Sequence, residues 1–182
     1  MNIGILGTGV VGQAISAKMD SLGYNVMIGT RDVSKTLAET KPNQYGGPGF
    51  SVWYKEHPNI KVGTFAEAAD FGEIIFLCLN GAAALDVLKS TGQKKFTGKT
   101  VIDITVPLDF SKGMPPGLFY VNDTSLGEEV QKALPDAHIV KTLNMVNCEI
   151  MVDPKKAGDD ATMFVAGNNS DAKEKVKKIL DQ

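Results

Sequence analysis

Residues 7–12 read Gly-Thr-Gly-Val-Val-Gly, so glycine recurs at positions 7, 9 and 12. An apolar run, Ile3 to Leu6, precedes them, a helical apolar periodicity follows from Val10, and a second strand pattern is reached by Asn25. In that setting the spacing predicts a strand, a tight turn and a helix start that take a pyrophosphate. Gly7 permits the turn, Gly9 lets backbone come up against the phosphates, and Gly12 lets the helix lie close on the sheet. The expected contacts run from Gly7 and Thr8 through Gly9, Val10 and Val11 to Gly12, because unpaired amides and the positive end of the helix dipole face the anion there. A glycine-rich turn that binds nothing is the bland alternative.

The end of the second strand decides which dinucleotide is expected. An Asp or Glu there, roughly 20 residues past the glycines, holds the ribose 2′-hydroxyl of NAD(H). This chain instead reads Met27-Ile28-Gly29-Thr30-Arg31-Asp32-Val33-Ser34-Lys35. A hydroxyl (Thr30), a forked guanidinium (Arg31) and an ammonium one helical turn on (Lys35) suit a 2′-phosphate, so NADP(H) is the expected cofactor. Two other readings stay open. Asp32 keeps NAD(H) in play, and Arg31 and Lys35 could be solvated surface charges.

Ligands in such folds sit outside the carboxyl ends of the strands. That points to Asn80-Gly81, Thr105-Val106-Pro107 and the segment Asn144–Asn147. Asn80 and Asn144 are candidates to hold ribose or carboxamide groups, with helix capping as the competing role for Asn80. Asp103 is expected to be a hydrogen-bonded structural carboxylate rather than a base. Trp53, Tyr54 and Met114-Pro115-Pro116 could wall a flat second substrate or simply pack. His57 and His138 lack partners at metal-ligand spacing and lack a nucleophile context, so no metal site and no catalytic side chain is assigned. Hydride transfer between two bound rings needs proximity and orientation rather than a side-chain acid.

These residues need strands and helices in alternation to carry them. The patterns give strands at Asn2–Leu6, Asn25–Ile28, Ile60–Val62, Ile74–Leu79, Thr100–Ile104, Ile139–Leu143 and Met163–Ala166. Helices are expected from Val10 to Leu22 (with Gly23 as the stop), Ser34 to Thr40, Ala82 to Leu88, and Ser125 to Leu134. Ser51 is expected to cap a short helix carrying Trp53 and Tyr54, and Ser170 a last helix to Leu180. Thr64-Phe65-Ala66-Glu67 and Ser125–Glu128 have the capping-box spacing. Lys41–Gly49 reads as a loop. The fold class is α/β: a Rossmann-type doubly wound, mainly parallel sheet with helices on both faces. Residues 1–182 read as one NADP-binding domain without repeats or a linker.

Composition narrows the classes further. The chain is 43% hydrophobic and 22% charged, with a net charge of −2. A clustered basic surface for nucleic acid is not expected, nor is a membrane span. The N-terminus enters a strand directly and lacks the features of an export signal. Cys78 and Cys148 lie in apolar surroundings and are expected to be free buried thiols, which fits a reducing, cytoplasmic compartment.

The glycine fingerprint from residue 7, Gly29-Thr30-Arg31 with Lys35, and Lys141-Thr142-Leu143-Asn144 together resemble the coenzyme F420-dependent NADP oxidoreductase family. Pro107-Leu108-Asp109-Phe110-Ser111-Lys112-Gly113-Met114-Pro115-Pro116 and Asp123-Thr124-Ser125-Leu126-Gly127-Glu128 are similar to its bacterial NADPH-dependent F420 reductase branch. The same domain forms the cytosolic part of six-transmembrane metalloreductases. The resemblance implies a homodimer, NADP(H) held by Thr8, Thr30, Arg31 and Lys35, and F420 or a related flavin-type ring stacked near the nicotinamide as second substrate. Family members continue past the last helix with another strand and helix, and this extension is expected to be missing from a chain that stops at Gln182. Hydroxy-acid dehydrogenases and imino-acid reductases carry a long second domain, for which sixteen residues after Ala166 are too few. The expected function is an NADP(H)-dependent oxidoreductase that passes a hydride to a small-molecule acceptor. The alternative is a non-catalytic NADP(H)-binding module that senses redox state or regulates a partner.

Overall fold

Apolar runs too short for helices alternate with helical stretches, and the central ones, Asn2–Leu6, Ile74–Leu77 and Thr100–Asp103, become strands buried on both faces. In the computed structural model, which describes residues 1–43, 46–158 and 162–182, β1 (Asn2–Leu6) leads to α1 (Val10–Ser21) and β2 (Asn25–Thr30). Then follow α2 (Val33–Leu37), α3 (Phe50–Lys55), β3 (Lys61–Thr64), α4 (Phe65–Phe71) and β4 (Ile74–Leu77). The next elements are α5 (Gly81–Thr91), β5 (Thr100–Asp103), and the short strands β6 (Leu108–Asp109) and β7 (Gly117–Leu118). The chain closes with α6 (Leu126–Ala133), β8 (His138–Lys141), α7 (Cys148–Val152) and α8 (Ser170–Leu180).

Six strands form one sheet in the order β3-β2-β1-β4-β5-β8, and every neighbouring pair is parallel. Alternation along each strand sends side chains to opposite faces. Ile3, Ile5, Phe76 and Ile102 pack on one face against Ile15 and Met19 of α1, Trp53 of α3 and Val176 of α8. Leu6, Ile75, Leu77 and Val101 pack on the other against Ala68 of α4, Leu88 of α5 and Val130 of α6. Helices therefore cover both faces, as a doubly wound Rossmann-type sheet requires. Each such side chain withdrawn from water contributes about 1.5–3 kcal/mol. The chain builds outward from β1 to β3, then crosses back to lay β4 on the other side of β1. That reversal opens a crevice at the carboxyl ends of β1 and β4. Among the described residues no helix is long and apolar enough to cross a membrane.

Both capping boxes form: Thr64 with Glu67 opens α4, and Ser125 with Glu128 opens α6. Several expected details change. Residues 163–166 make no strand. Ala166 exchanges two backbone hydrogen bonds with Lys141 in a single antiparallel bridge, while the Phe164 carbonyl accepts from the Thr142 hydroxyl instead of a ladder. Gly49, not Ser51, caps α3, because the Gly49 backbone is pressed so close to Thr40 that a Cβ would lie 2.4 Å from its carbonyl carbon. Asn169 rather than Ser170 caps α8, its side chain accepting from the Ala172 amide at 2.8 Å. The helix expected over Ser34–Thr40 is shorter, Val33–Leu37, and starts one residue earlier because Asp32 caps it. The loop expected at Lys41–Gly49 has residues 44 and 45 outside the described residues. Cys78 and Cys148 are free but half-buried rather than fully buried.

Candidate functional site

The turn after β1 is shaped by two contacts that exclude a side chain. Gly7 has φ +122°, and a Cβ there would stand 2.2 Å from the Cys78 carbonyl oxygen. A Cβ on Gly12 would stand 1.9 Å from the Gly7 carbonyl oxygen, so α1 is packed directly on the turn it leaves. Gly9 differs: among the described residues nothing beyond its own chain neighbours lies within 4 Å of the position its Cβ would take. Gly9 is the first residue at the mouth of α1, where no side chain caps the helix and no acid lies in the first turn. The Gln13 side-chain amide donates to the Thr8 carbonyl at 2.9 Å and fixes the loop from behind. Gly7, Thr8, Gly9, Val10, Val11 and Gly12 thus form one cradle with open space over Gly9 and a positive helix end beneath it.

The end of β2 lies beside this cradle, since Leu6 pairs with Gly29. Thr30 is buried, and its hydroxyl lies 2.7 Å from the Thr36 hydroxyl on α2. Arg31 and Lys35 are exposed, and among the described residues neither side chain has a hydrogen bond or an ion pair. Asp32 is committed elsewhere: its Oδ1 accepts from the Lys35 amide at 2.9 Å as the N-cap of α2. Two cations and a hydroxyl are therefore available at this strand end, while one oxygen of its acid is committed to capping α2.

Past β4, Asn80 caps α5, its Oδ1 accepting from the Ala82 amide at 2.9 Å, so its carboxamide keeps only the NH₂ end for a ligand. The loops after β4 and β5 touch at Gly81, where a Cβ would lie 2.1 Å from the Val106 carbonyl oxygen. The carboxyl ends of β5 and β8 carry a polar cluster that confirms Asp103 as a hydrogen-bonded structural carboxylate and pairs it with Lys141, a partner the sequence reading did not assign. Asp103 is fully buried and accepts from the Thr105 amide at 2.9 Å, the Thr105 hydroxyl at 2.6 Å and the Lys141 ammonium at 3.0 Å. Lys141 also donates to the Thr105 carbonyl. Burial holds the Lys141 ammonium below its usual pKa, an effect that the facing Asp103 carboxylate opposes. Asp103 and Lys141 are partners in the β5–β8 register, so an acid and a base at matched strand ends were the available signal. Burial, with Asp103 nearby, pushes the Cys78 thiol up, which keeps it a protonated packing group.

Lys141 and Asn144 line one side of a cavity of about 650 Å³ whose other walls include Pro107, Leu118, Tyr120 and Leu126. Asn144 thus reaches the cavity, whereas two of the expected ring walls do not. Trp53 is buried in the core under β2 and stacks on His57 with centroids 4.4 Å apart, and Met114 stands 78% exposed between β6 and β7. Among the described residues no group of three or more His, Cys, Asp or Glu side chains could hold a metal ion.

Comparison with known proteins bears on the family and the fold. A family model described as NADP oxidoreductase, coenzyme F420-dependent, matches residues 2–107. An F420-dependent NADP reductase of Methanothermobacter marburgensis is 25% identical over 187 residues, spanning all of this chain and 80% of that protein. The crystal structure of a proposed F420-dependent NADP reductase from Arthrobacter sp. FB24 superposes with a TM-score of 0.93 at 43% identity, over all of this chain and 80% of that one. The pyrroline carboxylate reductase of Plasmodium falciparum, solved with NADP bound, shares the fold alone, with a TM-score of 0.60 at 16% identity over 54% of its chain.

Proposed function

Because the chain belongs to the coenzyme F420-dependent NADP oxidoreductases, we propose that this oxidoreductase passes a hydride between NADP(H) and F420 or a related flavin-type acceptor. The state of the β2 end carries the cofactor reading. One oxygen of Asp32 is given to capping α2, while Arg31 and Lys35 stand uncommitted beside the Thr30 hydroxyl. A 2′-phosphate takes a forked cation, a second cation and a hydroxyl donor, whereas a 2′-hydroxyl calls for a free acid.

The remaining groups follow from the cradle. The amides at the start of α1 and the loop Gly7–Gly12 hold the pyrophosphate, with the open space over Gly9 admitting it. The Asn80 NH₂ and the Asn144 carboxamide hold ribose or carboxamide groups at the β4 and β8 ends. When bound, the nicotinamide supplies the hydride chemistry. The chain's own task is to orient two planar groups and to keep water from them. Asp103, buried under three donors, fixes the Thr105 loop and Lys141 rather than acting as a base. The cavity between β8 and α6, apolar at Leu118, Tyr120 and Leu126, suits the flat acceptor.

Residues 1–182 act as one NADP-binding domain in this reading, since α8 returns to the same sheet face as α1. Two free thiols suit a reducing cytoplasm. Mixing the protein with NADPH and, separately, F420, FMN, FAD and a ferric chelate is expected to oxidise NADPH with F420 or a flavin. Binding of NADPH without oxidation by any of them would point instead to the sensing or regulatory module.

A homodimer completes the proposal. Met145 and Phe164 are 61% and 67% exposed, and α7 between them in sequence carries Ile150, Met151 and Val152 only half-buried, with Met151 and Val152 packed on the core. Exposed Met145 and Phe164 beside this half-buried helix offer apolar surface for an interface. Sedimentation equilibrium at high micromolar concentration should give twice the 19.5 kDa of the chain, and a single 19.5 kDa species would rule the dimer out.

A further inference from the structure

Thr36 is a half-buried threonine on α2 that no motif singles out, and its hydroxyl lies 2.7 Å from that of Thr30. We propose that Thr36 is a specificity-determining positioning residue that turns the Thr30 hydroxyl toward the 2′-phosphate of NADP(H). The proposal rests on the reading above that Thr30 contacts that phosphate.

The argument is one of proton counting. A threonine hydroxyl has one proton to donate and lone pairs to accept. An ionised phosphate oxygen only accepts. When Thr30 donates to it, the Thr30 oxygen can keep its hydrogen bond to Thr36 only by accepting, so Thr36 must be the donor. Among the described residues the Thr30 hydroxyl has no other partner, so Thr36 alone sets its direction. Thr36 is held in place independently of any ligand: its amide donates to the Asp32 carbonyl at 3.0 Å, and Asp32 caps the helix. The 2′-hydroxyl of NADH both donates and accepts, so it gains nothing from a fixed direction at Thr30. Thr36 therefore acts on the difference between the two cofactors without touching either.

Calorimetric titration of NADPH and NADH against the whole chain tests this. Thr36→Val keeps the branched shape and removes the hydroxyl. It should weaken NADPH about three- to tenfold, the size of one hydrogen bond, and leave NADH within about twofold. Thr36→Ser should restore NADPH affinity. In a Thr30→Val background, Thr36→Val should cost nothing more, because the two hydroxyls act as one unit. Thermal midpoints check that each variant is folded, and Thr36→Ala reads the same loss should the valine variant not fold. Equal loss for both cofactors, no loss, or full additivity with Thr30→Val would each overturn the proposal. A Thr30→Val protein with unchanged NADPH affinity would overturn the phosphate assignment of Thr30 itself, and this proposal with it. A weakened Thr30→Val beside a silent Thr36→Val would overturn the role of Thr36 alone.

Discussion

Arg31→Ala is expected to lower NADPH affinity roughly ten- to a hundredfold while NADH affinity falls far less. The two ligands differ only in the 2′-phosphate, so only contacts to it can separate them. A forked, charge-assisted contact contributes about 1.5–3 kcal/mol, and each 1.4 kcal/mol or so is tenfold in affinity. Arg31 is exposed and has no partner among the described residues, so folding loses nothing beyond about 0.5 kcal/mol when it is truncated. A small loss for NADH is expected as well, because a guanidinium can stack on the adenine that both ligands carry. Lys35→Ala should act in the same direction and more weakly, since a hydrated ammonium is easily screened. Titration of both cofactors against wild type and variant decides the matter. A wild type that prefers NADH, or equal losses for both ligands, would remove the 2′-phosphate from this strand end.

Asp103→Ala should be the most destabilising single change at the site, at about 2–4 kcal/mol. It strands three donors at once: the Thr105 amide, the Thr105 hydroxyl and the Lys141 ammonium. Lys141 keeps about a quarter of its side-chain exposure, so water recovers part of the cation's solvation and holds the cost below that of a fully buried pair. For a chain of this size the loss corresponds to a fall of roughly 10 °C in Tm. Removing both charges, in Asp103→Leu with Lys141→Met, should recover a large part of it, because the desolvation of two ions disappears along with their attraction. Differential scanning calorimetry of the single and double variants reads both effects. A drop below about 1 kcal/mol for Asp103→Ala would show that the cluster is solvated and does not hold the β5 end.

What the sequence made legible follows the physics of local signals. The strand at Asn2–Leu6, the glycine turn and the two capping boxes are each written within a few neighbouring residues, and the structure has them where the spacing puts them. Capping serines at 51 and 170 were misplaced because a glycine and an asparagine one or two positions earlier compete for the same role, and only the entering backbone decides between them. The segment 163–166 has strand composition, yet a strand needs a partner along its length and here only Ala166 finds one. Lys141 as the partner of Asp103 was hard to read for the same reason, although an acid and a base at strand ends hinted at it. Thirty-eight residues separate the two, and they meet only because β5 and β8 are neighbours in register. Asp32 shows the reverse case. Its type suggested a ribose contact, and the structure gives its carboxylate to the α2 amide.

The parallel order of the sheet also sets a schedule for folding. No neighbouring strands of the six are joined by a hairpin, so each pairing waits on a crossover through a helix. For β1 the wait is longest, because Ile3 finds Val26 on one side but Ile74 on the other. Chains are made at about 5–20 residues per second, so β4 follows β1 out of the ribosome by roughly 4–14 s. Through that interval one edge of a largely apolar strand has its N–H and C=O groups unclaimed, the condition under which strands pair with the wrong chain. The central strand of the finished sheet is thus the exposed edge of the growing one, and its protection is a matter of time before it is one of packing.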